Sequence, residues 1–187
     1  QLEYRNVQLE LKSLQNQINP HFLYNALEAI RSDALLADCA DIAETTEALA
    51  TFFRYTISNV QEYVTFSDEL DNAENYFTIQ RCRFGDKISM ELELENEKLL
   101  EARMPKLILQ PLVENAIYHG IKVKQQGGTV RIESLLEEDR LLITVEDDGV
   151  GMTPEQLETI LDKKESDAES TKIGVYNVNE RLQLFFG

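Results

Sequence analysis

The sequence predicts an α+β protein in which a helical hairpin, completed as a dimeric four-helix bundle, is followed by an α/β sandwich. Three observations carry this expectation. Tyr4, Val7, Leu11, Leu14, Ile18, His21 and Asn25 recur at spacings of three and four, the stripe of an amphipathic helix of the coiled-coil kind. A polar break, Ala37-Asp38-Cys39-Ala40-Asp41, separates it from a second run, Ile42 to Val60, that carries Leu49, Phe52, Phe53 and Ile57. Two long helices joined by so short a break fold back as a hairpin, and a second copy is the natural way to cover the faces one hairpin leaves bare. After Gly85 the period changes to two, with Ile88, Met90, Leu92 and Leu94 alternating with Ser89, Glu91, Glu93 and Glu95, as on a half-buried strand.

In the first helix Pro20 is the irregular element. Within a helix interior a proline costs ~3 kcal/mol, so the helix either kinks at this point or restarts with Asn19 as its N-cap and Pro20 in the first turn. The two early helices are assigned to a hairpin domain over residues 1–66. Ser67 is expected to cap a connecting helix that runs to Arg83 through Leu70, Ala73, Tyr76, Phe77 and Gln80, and residues 67–86 form the connection. The second domain covers residues 87–187. In it the strand at Ile88 precedes a helix expected from Pro105 to His119, a turn at Gly127-Gly128, and strands over Thr129 to Leu135 and Leu141 to Asp147. Thr153 to Lys172 is polar with little periodicity and suits a flexible lid. Gly174 is expected to open a last helix whose core face is Val175, Val178, Leu182 and Phe185.

Composition excludes several function classes. The 187 residues carry 34 acidic and 18 basic side chains, a net charge of -16, and such a field repels nucleic acid and anionic lipid. A phosphorylated ligand must then be met by backbone N–H groups, a metal ion and a few local cations. Two cysteines, Cys39 and Cys82, and two distant histidines fit neither a disulfide framework nor a His/Cys metal cluster, and suit a reducing cytoplasm. No apolar run approaches the ~20 residues of a membrane-spanning helix, and no signal peptide is visible. The chain opens in mid-helix at Gln1-Leu2-Glu3 with no initiator methionine, so it reads as a piece of something longer.

Few residues could carry chemistry. In the strand ending at Asp147, Leu141, Ile143, Val145 and Asp147 share one face because strand side chains alternate; Asp147 points inward and Asp148 outward. An inward carboxylate needs a donor, which an exocyclic amine of adenine would provide, or else Asp147-Asp148-Gly149 is simply a turn. Asn115 falls on the inward edge of its helix, three residues after Leu112 and seven after Ile108. There it is either bonded to backbone or is an oxygen ligand for a Mg²⁺ bridging phosphates. The first N–H groups of the Gly174 helix either hold phosphate or merely begin a helix.

Together these residues resemble the Bergerat-fold ATP-binding domain of the histidine kinase, gyrase and Hsp90 superfamily. The Asn115 helix matches the N box, Asp147-x-Gly149-x-Gly151 the G1 box, and Gly174 the second glycine of the G2 box. Joined to Asn19-Pro20-His21-Phe22-Leu23-Tyr24-Asn25, and with Leu109-Gln110-Pro111-Leu112-Val113-Glu114-Asn115-Ala116, they look like the LytS/YesM-like branch of sensor histidine kinases. The resemblance runs from about Leu14 to the end of the chain.

The resemblance implies that ATP phosphorylates His21 and that the phosphoryl group passes to an aspartate of a separate response regulator. It assigns ATP contacts to Asn115, His119, Asp147, Gly149, Gly151, Gly174 and Lys122, Mg²⁺ to Asn115, a base or metal-neighbour role to Glu114, and water positioning for dephosphorylation to Asn25, which is otherwise a polar contact in the bundle. It further implies a homodimer, no nucleic acid, and a cytoplasmic fragment of a bacterial membrane sensor anchored through segments absent here. Because family members continue into further strands beyond the place of Gly187, the sheet is expected to lack its last strands.

Several positions depart from the family pattern. Tyr118 stands where many relatives have a phosphate-contacting lysine, leaving Lys122 or Lys124 to substitute, and Lys172 stands where the G2 box has its first glycine. Phe22 follows His21 where most histidine kinases have an acidic residue. Gyrase- and Hsp90-type hydrolases place a water-activating Glu four residues before the N-box Asn, and here that residue is Pro111, which disfavours hydrolysis as the purpose. A degenerate, non-catalytic dimeric scaffold is the other alternative; the presence of His21, Asn115 and Asp147 speaks against it.

Overall fold

The computed structural model describes residues 19–57, 62–124, 126–138, 140–160 and 170–187. The chain divides into two compact units, Gln1–Ser58 and Asn59–Gly187. The stripe from Tyr4 to Ile18, the end of the second helical run at Val60, and residues 161–169 of the expected lid lie outside the described residues.

In the first unit, α1 (Pro20–Leu36) begins as one of the two expected alternatives requires. Asn19 has extended backbone, and its Oδ1 accepts from His21 N–H at 3.1 Å and Phe22 N–H at 3.3 Å. Pro20 sits in the first turn, where its missing N–H has no acceptor to lose. The helix ends at a tight turn in which Cys39 N–H donates to Ala34 O at 2.9 Å and Asp38 takes a left-handed φ of +54°. After it, α2 (Ala40–Ile57) returns against α1. Arg31 pairs with Glu47 at 3.2 Å, and Arg54 lies 5.6 Å above the Tyr24 ring. Stepping down α1 therefore means stepping up α2, the register of an antiparallel hairpin. The buried positions of α2 include Ala43, Ala48 and Ala50, whose small side chains allow the helices to approach closely, while Phe22, Ile30, Leu35, Leu36 and Ile42 stay exposed.

The second unit starts earlier than the expected boundary at residue 66. β1 (Tyr63–Thr65) pairs antiparallel with β3 (Arg103–Pro105), which ties the entry of the connecting helix into this unit. That helix, α3 (Phe66–Phe84), is capped by Thr65 rather than by Ser67. Thr65 Oγ1 accepts from Asp68 N–H at 3.1 Å and Asp68 Oδ2 accepts from Thr65 N–H at 2.8 Å, a reciprocal capping box with Asp in the usual Glu place. Phe66, fully buried, anchors the first turn.

β2 (Ile88–Leu94) runs parallel to β4 (Gly128–Glu137), which pairs antiparallel with β5 (Arg140–Asp147), giving the sheet order β2-β4-β5. On the inner face Ile88, Val130, Ile132 and Ser134 are buried and Ile143, Val145 and Asp147 partly so, against exposed Leu142, Thr144, Glu146 and Asp148. The alternation read from the sequence thus holds in β5. Helix α4 (Leu109–Asn115) continues as a π-helical turn over Ala116–Ile121, and buries Leu109, Val113, Ala116, Ile117 and Ile121 in the core. α5 (Pro154–Thr159) and α6 (Ser170–Phe186) complete the described elements. The start of the expected lid is therefore ordered: a Thr153–Gln156 capping box and Pro154 in the first turn set up α5. Among the described residues no helix is long and apolar enough to cross a membrane.

Pro105 does not open α4. It ends β3 opposite Tyr63, and the helix begins only at Leu109. The cause is Glu69 of α3, completely buried, whose carboxylate accepts from Leu107 N–H at 2.6 Å, Ile108 N–H at 2.6 Å and Leu109 N–H at 2.8 Å. These are the N–H groups that no residue before the helix caps, since Ile108 offers no side-chain acceptor. Removing the carboxylate would strand three amides, two of them in fully buried surroundings. Glu69→Ala is expected to lower stability by roughly 3 kcal/mol, the scale of leaving buried donors unpaired, read as a fall in the urea midpoint. A fall no larger than that of an exposed control such as Glu74→Ala would contradict the role.

Candidate functional site

In the hairpin unit His21 is exposed one position into the turn that Asn19 caps. Its Nδ1 lies 3.2 Å from the side-chain nitrogen of Asn25, one turn along α1. Because a side-chain amide can present either its NH₂ or its oxygen after a half-turn, Asn25 can meet either neutral tautomer of the ring. Either way Asn25 covers Nδ1, and Nε2 is the nitrogen left facing solvent.

In the second unit the site is built around the end of α4. Asn115 is half-buried, and its Oδ1 is buried with no hydrogen-bond partner among the described residues. The alternative of a backbone-bonded Asn115 oxygen is therefore not what the fold holds. An amide oxygen in that state lacks the partner that buried polar atoms normally have, and a hard cation is a fitting one. Beyond Asn115 the helix widens: Lys122 N–H reaches back to Ile117 O at 2.8 Å, a π-type bond. His119 is half-buried on this turn, and Glu114 is exposed just before it. Burial, with the neighbouring charge of Glu114 adding to it, pushes the hydroxyl of Tyr76 on α3 well above the ordinary phenol range.

The π-turn meets the end of β5 at Gly120. The Asp147 carboxylate lies so close that a Cβ at Gly120 would stand 2.2 Å from its Oδ1, and a Cβ at Gly149 would stand 2.3 Å from the Gly120 carbonyl carbon. Val150 N–H donates to Gly120 O at 3.1 Å, and Gly149 N–H donates to Asp147 Oδ1 at 2.9 Å. These glycines let the β5 end and the α4 end touch, and the Gly149 N–H holds Asp147 by one oxygen. Asp148 is engaged differently. Its Oδ1 accepts from Thr129 N–H at 2.9 Å and Lys124 Nζ donates to its carbonyl at 2.7 Å, so the Thr129 amide first, and Lys124 after it, hold its carboxyl below the usual range. It fastens the β4–β5 end to the segment after the π-turn.

Of the two lysines expected to replace the missing cation at position 118, Lys124 is thus committed to Asp148, also through a carboxylate contact of 3.4 Å. Lys122 is the one left near Tyr118, with Nζ 4.8 Å above its ring. Gly151 has a left-handed φ of +70° in open space. Gly174 does not begin α6. It lies in the second turn, far enough in for the helix to use its own N–H, and it faces Pro111, whose carbonyl oxygen would be 3.7 Å from an added Cβ. An open concavity lined by Glu91, Thr129, Arg131, Glu146, Asp147 and Asp148 is mostly acidic and does not suit a phosphate chain. One residue at this junction was given no role in the sequence reading: Gly120, whose clue is only its place five after Asn115.

Gly120 and Gly174 make opposite forecasts. Gly120→Ala should destabilise by about 1–3 kcal/mol, because its Cβ would overlap the Asp147 carboxylate, which Gly149 N–H holds by Oδ1. Gly174→Ala has ordinary contact distance around it and should be neutral or up to about 1 kcal/mol stabilising, as for alanine in a helix interior. Thermal melts of both variants check this; a larger loss at 174 than at 120 would show that the contact geometry is misread.

Residues 9–88 match the family model described as histidine kinase, and residues 101–187 match that described as histidine kinase-, DNA gyrase B-, and HSP90-like ATPase. Sensor histidine kinase YesM of Bacillus subtilis is 38% identical over 178 residues, covering 95% of this chain and 29% of that protein. Sensor histidine kinase YpdA of Escherichia coli is 37% identical over 180 residues, covering 95% and 31%. Sensor protein LytS of Bacillus cereus is 32% identical over 179 residues, covering 95% and 30%. The chain thus spans about a third of the length of these relatives. With an Asn-capped helix presenting His21, and Asn115, Asp147 and Gly149 gathered at the α4–β5 end of a domain of the ATPase type, the chain belongs to the sensor histidine kinase family.

Proposed function

We propose that ATP bound by the second unit phosphorylates His21 and that the phosphoryl group then passes to an aspartate of a separate response regulator. The observation that carries this reading is the buried, unpartnered Oδ1 of Asn115 in a chain that also presents an exposed imidazole at His21. The Asp147 carboxylate, with Oδ1 engaged by Gly149 N–H, has acceptor capacity left for the exocyclic amine of adenine. His119, Gly149, Gly151, Gly174 and Lys122 complete the proposed ATP contacts. Asn115 suits Mg²⁺, since a hard cation that keeps most of its waters needs few protein oxygens. Mg²⁺ held there would neutralise charge on the triphosphate, which matters in a protein of net charge -16.

The nucleophile is a neutral imidazole nitrogen in line with the γ-phosphate. With Nδ1 facing Asn25, Nε2 is the nitrogen that attacks: the Nε2–P bond forms as the bond to the β-phosphate bridging oxygen breaks, and ADP leaves. This requires the tautomer protonated on Nδ1, with the Asn25 oxygen turned to accept that proton's hydrogen bond. Glu114 stands as the carboxylate beside Asn115 for a base or metal-neighbour role, and Asn25 as the group that positions a water for dephosphorylating the regulator. ATP hydrolysis as the purpose is not favoured, because the residue four before Asn115 is Pro111 and brings no carboxylate.

The hairpin over residues 1–66 is proposed as the dimerisation and phosphotransfer element, 67–86 as the connection and 87–187 as the ATP-binding catalytic domain. Exposure of Phe22, Ile30, Leu35, Leu36 and Ile42 supports a homodimer. The whole protein is proposed to be a bacterial membrane sensor, with this part on the cytoplasmic side and the membrane reached through other segments.

Two outcomes test the reading. His21→Gln should abolish acid-labile label from γ-labelled ATP and Mg²⁺ while leaving nucleotide affinity unchanged; label that survives on that variant sinks the acceptor assignment. Asp147→Asn should weaken adenine-nucleotide binding by about 1.5–3 kcal/mol, the scale of a charged hydrogen-bond partner, whereas Asp148→Asn should do much less. Equal losses in a binding titration would mean that the wrong carboxylate is assigned to adenine.

A further inference from the structure

Arg83 lies at the end of α3, yet its guanidinium reaches α4. Its Nη1 donates to Tyr118 Oη at 3.1 Å, and the Tyr118 ring is met edge-on by Phe84 at 6.3 Å and covered by Lys122 Nζ at 4.8 Å. Two cations therefore converge on one tyrosine in the turn that follows Asn115. Among the described residues neither Arg83 nor Lys122 forms an ion pair, whereas Arg81 and Lys124, each two residues away along the chain, pair with a carboxylate. Two adjacent cations without one are poised for an anion that comes from outside the chain.

The hydroxyl chemistry points the same way. Tyr118 Oη accepts from Arg83, so its own O–H remains available to donate. Arg83, Tyr118 and Lys122 thus offer only donors and positive charge, while Asn115, three residues earlier, offers a buried unpartnered oxygen. Donors for an anion beside an acceptor for a cation match the two requirements of a metal-chelated polyphosphate.

We propose that Arg83, Tyr118 and Lys122 form the cluster that holds the phosphate chain of the nucleotide, with Arg83 of α3 supplying the charge and Tyr118 fixing its position. This rests on the nucleotide reading above and adds to it a residue outside the nucleotide-site motifs. It also gives Tyr118 a purpose: the aromatic ring recruits a cation from α3 and another from the end of its own turn, in place of carrying one itself.

The test is calorimetric titration of the full chain with ATP and with adenosine, each in Mg²⁺. Arg83→Gln should weaken ATP by about tenfold or more, as for loss of a charged hydrogen-bond donor, and leave adenosine unchanged. Tyr118→Phe should weaken ATP by less. Placing lysine at 118 in the Arg83→Gln background (R83Q/Y118K) should recover most of the ATP affinity, because the charge is restored from α4 itself. Equal weakening of ATP and adenosine, or no change in ATP affinity, overturns the inference and makes the Arg83–Tyr118 bond a tether between helices. If the unaltered chain binds neither ligand, the nucleotide reading fails and this inference with it; if it binds ATP and Arg83→Gln acts without preference for phosphate, only the inference fails.

Discussion

Glu69 brings a carboxylate into the fully buried interior of the second unit, where it accepts from three successive backbone amides, Leu107, Ile108 and Leu109. A buried charge is tolerated only when its oxygens are satisfied, and here the donors are the free N–H groups of a helix start, where negative charge is favoured. The arrangement is demanding. Leu107 is forced to a left-handed φ of +62°, a conformation that costs a non-glycine residue roughly 1–2 kcal/mol. The same short loop receives α6, because Arg181 donates to the Lys106 carbonyl. Burial lowers the pKa of the Lys106 ammonium, with the Glu69 charge opposing that and Arg181 adding to it. One loop of three residues, 106–108, thus joins α3, α4 and α6, and the position of Asn115 at the far end of α4 depends on it.

From that anchored start, α4 reaches the end of β5 with a change of helical period. The π-turn over Ala116–Ile121 brings Gly120 against Asp147 and Gly149, where no side chain could fit, and turns Tyr118 toward Arg83. The consequence is electrical as well as geometric. The chain is strongly acidic overall, so its attraction for phosphate must be local. Lys124 and Asp148 neutralise each other at the end of the sheet, while Arg83 and Lys122 remain without carboxylate partners among the described residues.

The hairpin unit solves a different problem by simpler means. Its proposed phosphoacceptor must be reachable, and the Asn19 cap with Pro20 in the first turn starts α1 just before His21, leaving the imidazole on an exposed first turn with Asn25 against Nδ1. The close packing of α2 through small residues leaves large apolar groups facing outward, so the same helices that present the imidazole also present a surface suited to a second copy.

Much of what depends on neighbours close along the chain was legible in the sequence, although the Thr65–Asp68 capping box was passed over for Ser67. The Asn19-Pro20 helix start is an exchange among four consecutive residues, the inward face of Asp147 follows from the two-residue period of β5, and the two glycine- and asparagine-bearing motifs lie in short segments whose spacing alone suggests the family. The same reasoning went astray wherever the deciding partner was distant. Pro105 looked like a helix start, but Glu69, 38 to 40 residues away from the amides it caps, moved that start to Leu109. Gly174 looked like a helix start, yet α6 begins before it and sets it against Pro111. Lys122 and Lys124 looked equivalent until Asp148, 24 residues on from Lys124, claimed one of them, and Arg83 became part of the site only through a bond to a tyrosine 35 residues later. Periodicity and capping are written within a few residues of where they act. A buried carboxylate, a glycine contact or a cation's choice of partner is decided by which surfaces the finished fold presses together, and the order of residues does not contain that information in any local form.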